Sequence, residues 1–241
     1  MYMGKRFTRS NRRHNRRGIT RRRRKYSQRM RGGRGRRGAR KSKEEAWISA
    51  LGLTVSSDET LYNQVYNDVE SLNINSLPVF IQLFDHLPIR RSDSLLDVGS
   101  GLGLMCLLIK QRLPFGKVYG VERNKKLYDA SQRNLSLMGT KGVKFFNKDI
   151  FKMSIPDDVT YFYLFNPFHY DFKKFYKLCS KIKAFCERKK RKVTTIWINS
   201  SFESKPLEHD RVLERLHATI IKKGVLVYSY LIFTMDSRNS R

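Results

Sequence analysis

Apolar positions along this chain change their period several times, and each change marks an element. Before residue 44 there is no apolar pattern at all. Residues 44–53 and 58–72 carry apolar side chains at three- and four-residue spacing, which predicts two helices. Residues 77–87 predict a third, with Ser76 as its N-cap and Pro78 near its start. From there short apolar runs alternate with amphipathic stretches. Strands are expected at 95–98, 117–121, 143–146, 161–165 and 193–199, and helices at 102–113, 124–137 and 171–187. Residues 217–235 hold two β-rich runs around Lys222-Lys223-Gly224, which read as a hairpin. Strands alternating with helices predict an α/β, doubly wound and mostly parallel sheet, and a closing hairpin adds an antiparallel pair. The expected organisation is an arm over 1–43, a helical segment over 44–90 and the α/β domain over 91–241. No internal repeat is visible.

Candidate chemistry concentrates in LLDVGSGLG, residues 95–103. A buried strand runs into a turn in which Gly99, Gly101 and Gly103 alternate with Ser100 and Leu102, and a helix follows. The next strand, GKVYGVE, ends in Glu122. In an open α/β sheet that acid lies beside the first turn and can accept the hydroxyls of a ribose. A dinucleotide turn places its third glycine one position later and needs no acid ahead of the first. Here Asp97 is such an acid, suited to a cationic amino group. The D-x-G-x-G-x-G form resembles the first motif of class I S-adenosylmethionine (SAM) methyltransferases. A phosphate-binding turn and a chance glycine-rich loop are the alternatives.

Charge adds a second theme. The 241 residues carry a formal net charge of +29, unevenly spread. Residues 1–43 hold 20 Lys+Arg, 16 of them Arg, and no acid, whereas the remainder holds 30 basic and 21 acidic residues. Such an arm has little to bury and repels itself, so disorder in isolation is expected. Arginine suits bidentate phosphate contacts and stacking on bases. RGGRGRRG at 31–38 resembles the arginine-glycine boxes of RNA-binding proteins. Residues 5–43 are therefore expected to hold a nucleic acid (RNA, DNA or a nucleosome). A solubilising tail or a mitochondrial transit peptide are the alternatives, although no apolar face at helical spacing supports the latter. A nuclear or nucleolar location is expected in a eukaryotic or viral setting, and a cytoplasmic one otherwise. The arm also resembles those of small viral capsid proteins. No apolar run approaches the ~18–20 residues of a membrane span, so no membrane partner is expected. Cys106, Cys179 and Cys186 sit in apolar helical text and read as reduced, buried thiols rather than a disulfide framework. No metal-ligand cluster is seen.

Methyl transfer from a sulfonium is an in-line displacement that needs alignment of donor and acceptor, and no metal. Asp149, after the third strand, is placed to accept from an adenine amino group; an ordinary turn acid is the plainer alternative. Asn166, Pro167 and Phe168 at the end of the fourth strand form the candidate catalytic tip. An amide oxygen and a backbone carbonyl there can orient a target amine, although Asn-Pro also simply starts turns. His169 and Tyr170 are weaker candidates for a base.

From about Ser76 to Ser201 the chain resembles small class I methyltransferases common in bacteria. The shared text is HLPIRRSDSLLDVGSGLGLMCLLI, YGVERNKKLYDASQRNL and FYLFNPF. The D-x-G-S-G-x-G and Y-G-V-E combination also resembles the Dot1 class of histone lysine methyltransferases. The resemblance implies a Rossmann-like sheet of seven strands, the last antiparallel, with SAM as cofactor. It makes Asp97, Gly99, Gly101 and Glu122 pocket positions and puts Asn166 at the fourth-strand motif. The tip is reminiscent of the N-P-P-F/Y motif of amino-group methyltransferases, without the second proline. Phe168-His169 stands where the bacterial group often has phenylalanine-glycine, and the arm is foreign to that group. The resemblance thus implies a SAM-dependent methyltransferase acting on a bound nucleic acid or an associated protein. A nucleic-acid-binding or packaging protein with a catalytically silent fold is the alternative.

Overall fold

The computed structural model describes residues 80–168, 171–199, 206–225 and 229–237. The arm, the helices expected over 44–53 and 58–72, and His169 and Tyr170 lie outside the described residues. Seven strands form one sheet in the order β3-β2-β1-β4-β5-β7-β6. They are β1 (Ser94–Val98), β2 (Lys117–Glu122), β3 (Val143–Asn147), β4 (Val159–Phe165), β5 (Val193–Asn199), β6 (Thr219–Val225) and β7 (Ser229–Met235). The first five pair parallel, and β7 runs antiparallel between β5 and β6. This is the Rossmann-like seven-stranded arrangement expected.

The central strand β1, SLLDV, is buried at every position, as a parallel strand covered on both faces must be. Its alternating side chains feed two cores. Leu95 joins a cluster with α1 (Leu104–Arg112) and α2 (Lys125–Met138), through Leu104, Leu108, Leu127 and Ala130. Leu96 and Val98 join the opposite cluster, with Phe175, Leu178 and Ile182 of α3 (Phe172–Lys189) and Leu213 of α4 (Pro206–Arg215). Caps fix the helix starts. The Asn124 side chain accepts from Lys126 and Leu127 N–H, and Asp171 accepts from Lys174 N–H, so α2 and α3 begin where their acceptors stand. Gly139 at φ +57° ends α2.

Two expectations need correction. Of the helix expected at 77–87, residues 77–79, with the cap Ser76 and Pro78, lie outside the described residues; Phe80 and Ile81 are helical, a 3-10 turn follows at Gln82–Phe84, and residues 85–87 form turns instead of a last helical turn. Pro88 disfavours helical backbone at Leu87, so the run cannot extend as far as that residue. Phe80, Leu83 and Phe84 are nonetheless buried in the same core as β1. Lys222-Lys223-Gly224 are not a turn: they lie within β6, paired to Ile232, Leu231 and Tyr230. An edge strand leaves Lys222 and Lys223 exposed to solvent, so charge there is compatible with the ladder. Helix α4 gives little apolar signal along the sequence, since its PLEHDRVLER text is mostly polar.

Candidate functional site

Chain direction reverses across the sheet at β1 and β4. From β1 the chain builds outward through β2 and β3, and then returns to lay β4 on the other side of β1. The crevice beyond the carboxyl ends of two such strands is where open α/β sheets bind ligands. The turn after β1 and the tip after β4 meet there. Gly99 sits at φ +82°, and a side-chain carbon added to it would stand 3.6 Å from Pro167 Cβ. The fourth-strand tip therefore lies over the glycine turn.

The turn is braced from beneath. Gly99 and Ser100 N–H both donate to Val121 O, at 2.9 and 3.1 Å. Gly103, at φ +76°, opens α1, and a Cβ there would collide with the Phe145 ring. The N–H groups of Gly101 and Asn124 donate to Glu122 Oε2 and Oε1, at 3.1 and 2.8 Å. Glu122 is thus bound to both the glycine turn and the start of α2. Each of its oxygens retains a second acceptor site. Asn147, at the end of β3, donates to the carbonyls of Glu122 and Arg123 at 3.0 and 3.1 Å, and Asn134 of α2 donates to Leu102 O at 3.0 Å.

Asp97 and Glu122 are both only 3% exposed and form no ion pair among the described residues. Burial, opposed by the Cys106 thiol and reinforced by the neighbouring Glu122 charge, pushes the Asp97 carboxyl up to about 7. Burial also raises Glu122, against the pull of its backbone donors. The thiol of Cys106 donates to Asp97 Oδ2 at 3.3 Å, and is itself pushed up by burial and by the Asp97 charge. Two buried carboxylates with no cation between them are matched to a ligand that brings one, together with hydroxyl donors. Ser100 Oγ, buried without a hydrogen-bond partner among the described residues, adds a polar group to the same turn.

At the tip, Asn166 N–H donates to Ile198 O at 2.9 Å, tying the end of β4 to β5. Asn166 adopts φ +42°, a left-handed conformation that asparagine tolerates better than most residues. Its Oδ1 is buried with no hydrogen-bond partner among the described residues. A left-handed backbone and a buried acceptor with no partner among the described residues thus coincide at one residue of the tip. Phe168 does not join this crevice face; it stacks on Phe151, with ring centroids 5.4 Å apart. Asp149 lies on the neighbouring loop, where its Oδ1 accepts from Phe151 N–H at 2.8 Å. The structure thus brings together Asp97, Gly99, Ser100, Gly101, Gly103, Glu122, Asn166 and Pro167, with Asp149 and Phe168 on the rim. Cys106, Asn134 and Asn147 join the site without having been assigned a part in it; Cys106 and Asn134 lie within the text shared with the bacterial methyltransferases, and Asn147 lies outside it. Asn134 is detectable as a polar residue at an apolar position of the α2 stripe; Cys106 and Asn147 give no comparable signal.

Comparison with known proteins agrees with this geometry. The family model described as the methyltransferase small domain matches residues 81–217, more than half of the chain. No curated protein matches the sequence significantly. Among solved structures, a SAM-dependent methyltransferase from Aquifex aeolicus aligns with TM-score 0.52 at 16% identity, over 64% of this chain and 88% of its own. The PH0226 protein from Pyrococcus horikoshii aligns with TM-score 0.57 at 13% identity, over 73% and 98%. A SAM-dependent O-methyltransferase from Thermotoga maritima aligns with TM-score 0.54 at 14% identity, over 74% and 71%. At these identities the structural likeness speaks to the fold.

Proposed function

The chain belongs to the methyltransferase small-domain family, a SAM-dependent group, and from that premise we propose that it methylates a nucleic acid, or a protein lodged on one, held by the arginine-rich residues 5–43. The observation that carries the catalytic part is the placement of the Asn166-Pro167 tip over the Gly99 turn, where an added Cβ would stand 3.6 Å from Pro167 Cβ, with Asn166 Oδ1 buried and without a partner among the described residues. SAM when bound supplies an electrophilic methyl group on a sulfonium. Asp97 is suited to its amino group, Glu122 to its ribose hydroxyls, and Asp149 to its adenine amino group. The glycines at 99, 101 and 103 leave room for close backbone approach. Asn166 Oδ1 accepts from the target amine and orients its lone pair toward the crevice, while Pro167 keeps the tip against the glycine turn. Alignment of this kind supplies several kcal/mol without a covalent enzyme intermediate. The arm supplies local concentration of a polyanion, since its phosphate contacts carry little base information.

Incubation of the full-length protein with tritiated SAM and, in turn, total RNA, DNA and histones tests this reading. Label in one of these fractions, lost in Asn166→Ala, is the expected result. SAM binding with no label in any fraction refutes the enzymatic reading and leaves a nucleic-acid-binding protein with a silent fold.

A further inference from the structure

The rim of the crevice carries a group of lysines that pair with no carboxylate among the described residues. Several other bases are matched: Lys117 pairs with Asp158, Lys125 with Asp129, Lys174 with Asp171, Lys183 with Glu187, and Arg188 and Lys189 with Asp157. Lys148, Lys152, Lys173 and Lys177 are exposed and have no ion-pair partner among the described residues. Their placement is continuous with the tip. Pro167 lies over the Gly99 turn, Phe168 stacks on Phe151, and Lys177 Nζ stands 4.8 Å above the Phe151 ring. Lys173 and Lys177 lie one turn apart on α3. The next residue of that stripe, Lys181, donates to the carbonyls of Met153 and Phe151, at 2.7 and 3.4 Å, and so holds the rim loop in place. The result is a group of exposed lysines with no ion-pair partner among the described residues, beside two half-buried aromatic rings and next to a tip whose Asn166 Oδ1 has no hydrogen-bond partner among them.

We propose that this rim is a second, ordered binding surface for single-stranded nucleic acid, distinct from the arm, and that the nucleic acid itself is the methyl acceptor. Clustered lysines suit the phosphates of a strand, and the half-buried Phe168 ring beside them, held by its stack on Phe151, offers an aromatic surface that bases of any sequence can meet. A duplex fits less well, because a base must leave its stack to reach the buried Asn166. This rests on the methyltransferase function proposed for the same crevice and narrows its acceptor from two classes to one.

The test uses the full-length chain and a single-stranded RNA of about 12 nucleotides. The rim variant is Lys152→Gln/Lys173→Gln/Lys177→Gln. The control variant, with the same loss of charge, is Arg91→Gln/Arg112→Gln/Lys141→Gln, at exposed positions toward the amino-terminal ends of the strands. Affinity is measured against salt, with poly-glutamate as a competing polyanion and SAM binding followed by calorimetry. Each phosphate that is no longer neutralised on a single strand flattens the log–log salt slope by about 0.7, so the rim variant is expected to lose about 2 from its slope. The control keeps its slope, poly-glutamate binding is unchanged by the rim variant, and SAM affinity is the same in all three proteins. An unchanged slope in the rim variant, equal losses in rim and control, or an equal loss toward poly-glutamate each overturns the proposal. Methyl label confined to protein overturns it as well. If the wild-type chain shows the rim-dependent slope yet neither binds SAM nor labels anything, the methyltransferase reading fails while the rim stands.

Discussion

Replacing Asp97 by Asn removes a buried charge from the centre of the sheet while keeping an acceptor for the Cys106 thiol. The carboxyl lies at about 7 in the folded chain against 3.8 ordinarily, with burial the leading cause. Between those limits the folded chain holds a proton that the unfolded chain has released. Stability of the cofactor-free protein therefore falls as pH rises from about 4 to about 7, and levels off above. A displacement of about three pH units corresponds to about 4 kcal/mol. Asn titrates in neither state, so its own constant cost or gain cancels when one pH is compared with another. The stability difference between Asp97→Asn and wild type should move in favour of the variant by about 4 kcal/mol from pH 4 to pH 8. For a folded body of this size that is roughly 10 °C in midpoint. Urea unfolding of both proteins without SAM, at several pH values across this window, measures it. Parallel pH profiles would refute the argument, because they mean that Asp97 is as well solvated in the fold as outside it. SAM binding should move the other way, with Asp97→Asn weaker and the deficit growing as pH rises through 7.

Three further outcomes are expected. Glu122→Ala leaves the Gly101 and Asn124 N–H groups without their acceptor; with the ribose hydroxyls also unmet, SAM affinity measured by calorimetry should fall about 10-fold or more, at about 1–3 kcal/mol per unmet group. Asn166→Ala should slow single-turnover methyl transfer far more than it weakens SAM binding, and turnover within about two-fold of wild type would make Asn166 a turn residue only. Deleting residues 1–43 should flatten the salt dependence of nucleic-acid binding by about 0.7–0.9 for each phosphate the arm had neutralised and weaken all sequences alike, with SAM affinity unchanged.

Local patterns made much of the fold legible in the sequence. Buried strands such as LLDV and YFYLF announce themselves by apolar runs, and α2 and α3 by their stripes, while the caps Asn124 and Asp171 emerge only with the structure. The glycine turn was readable too, because positive φ at Gly99, Gly101 and Gly103 constrains residue type directly. Where locality carries no signal, expectation and structure part. The Lys222-Lys223-Gly224 text has turn-like residues, yet edge pairing with β7 keeps it extended. Only the tertiary structure decided which distant groups meet. Pro167 lies over Gly99 because β4 lies beside β1, a neighbour relation created by long-range sheet pairing. The Cys106 thiol reaches Asp97 because α1 packs back over the strand that precedes it. The perturbed Asp97, and the Asn166 oxygen and rim lysines without partners among the described residues, all follow from burial and from the placement of other charges. Those are properties of surroundings assembled from the whole chain, and spacing along the sequence carries no trace of them.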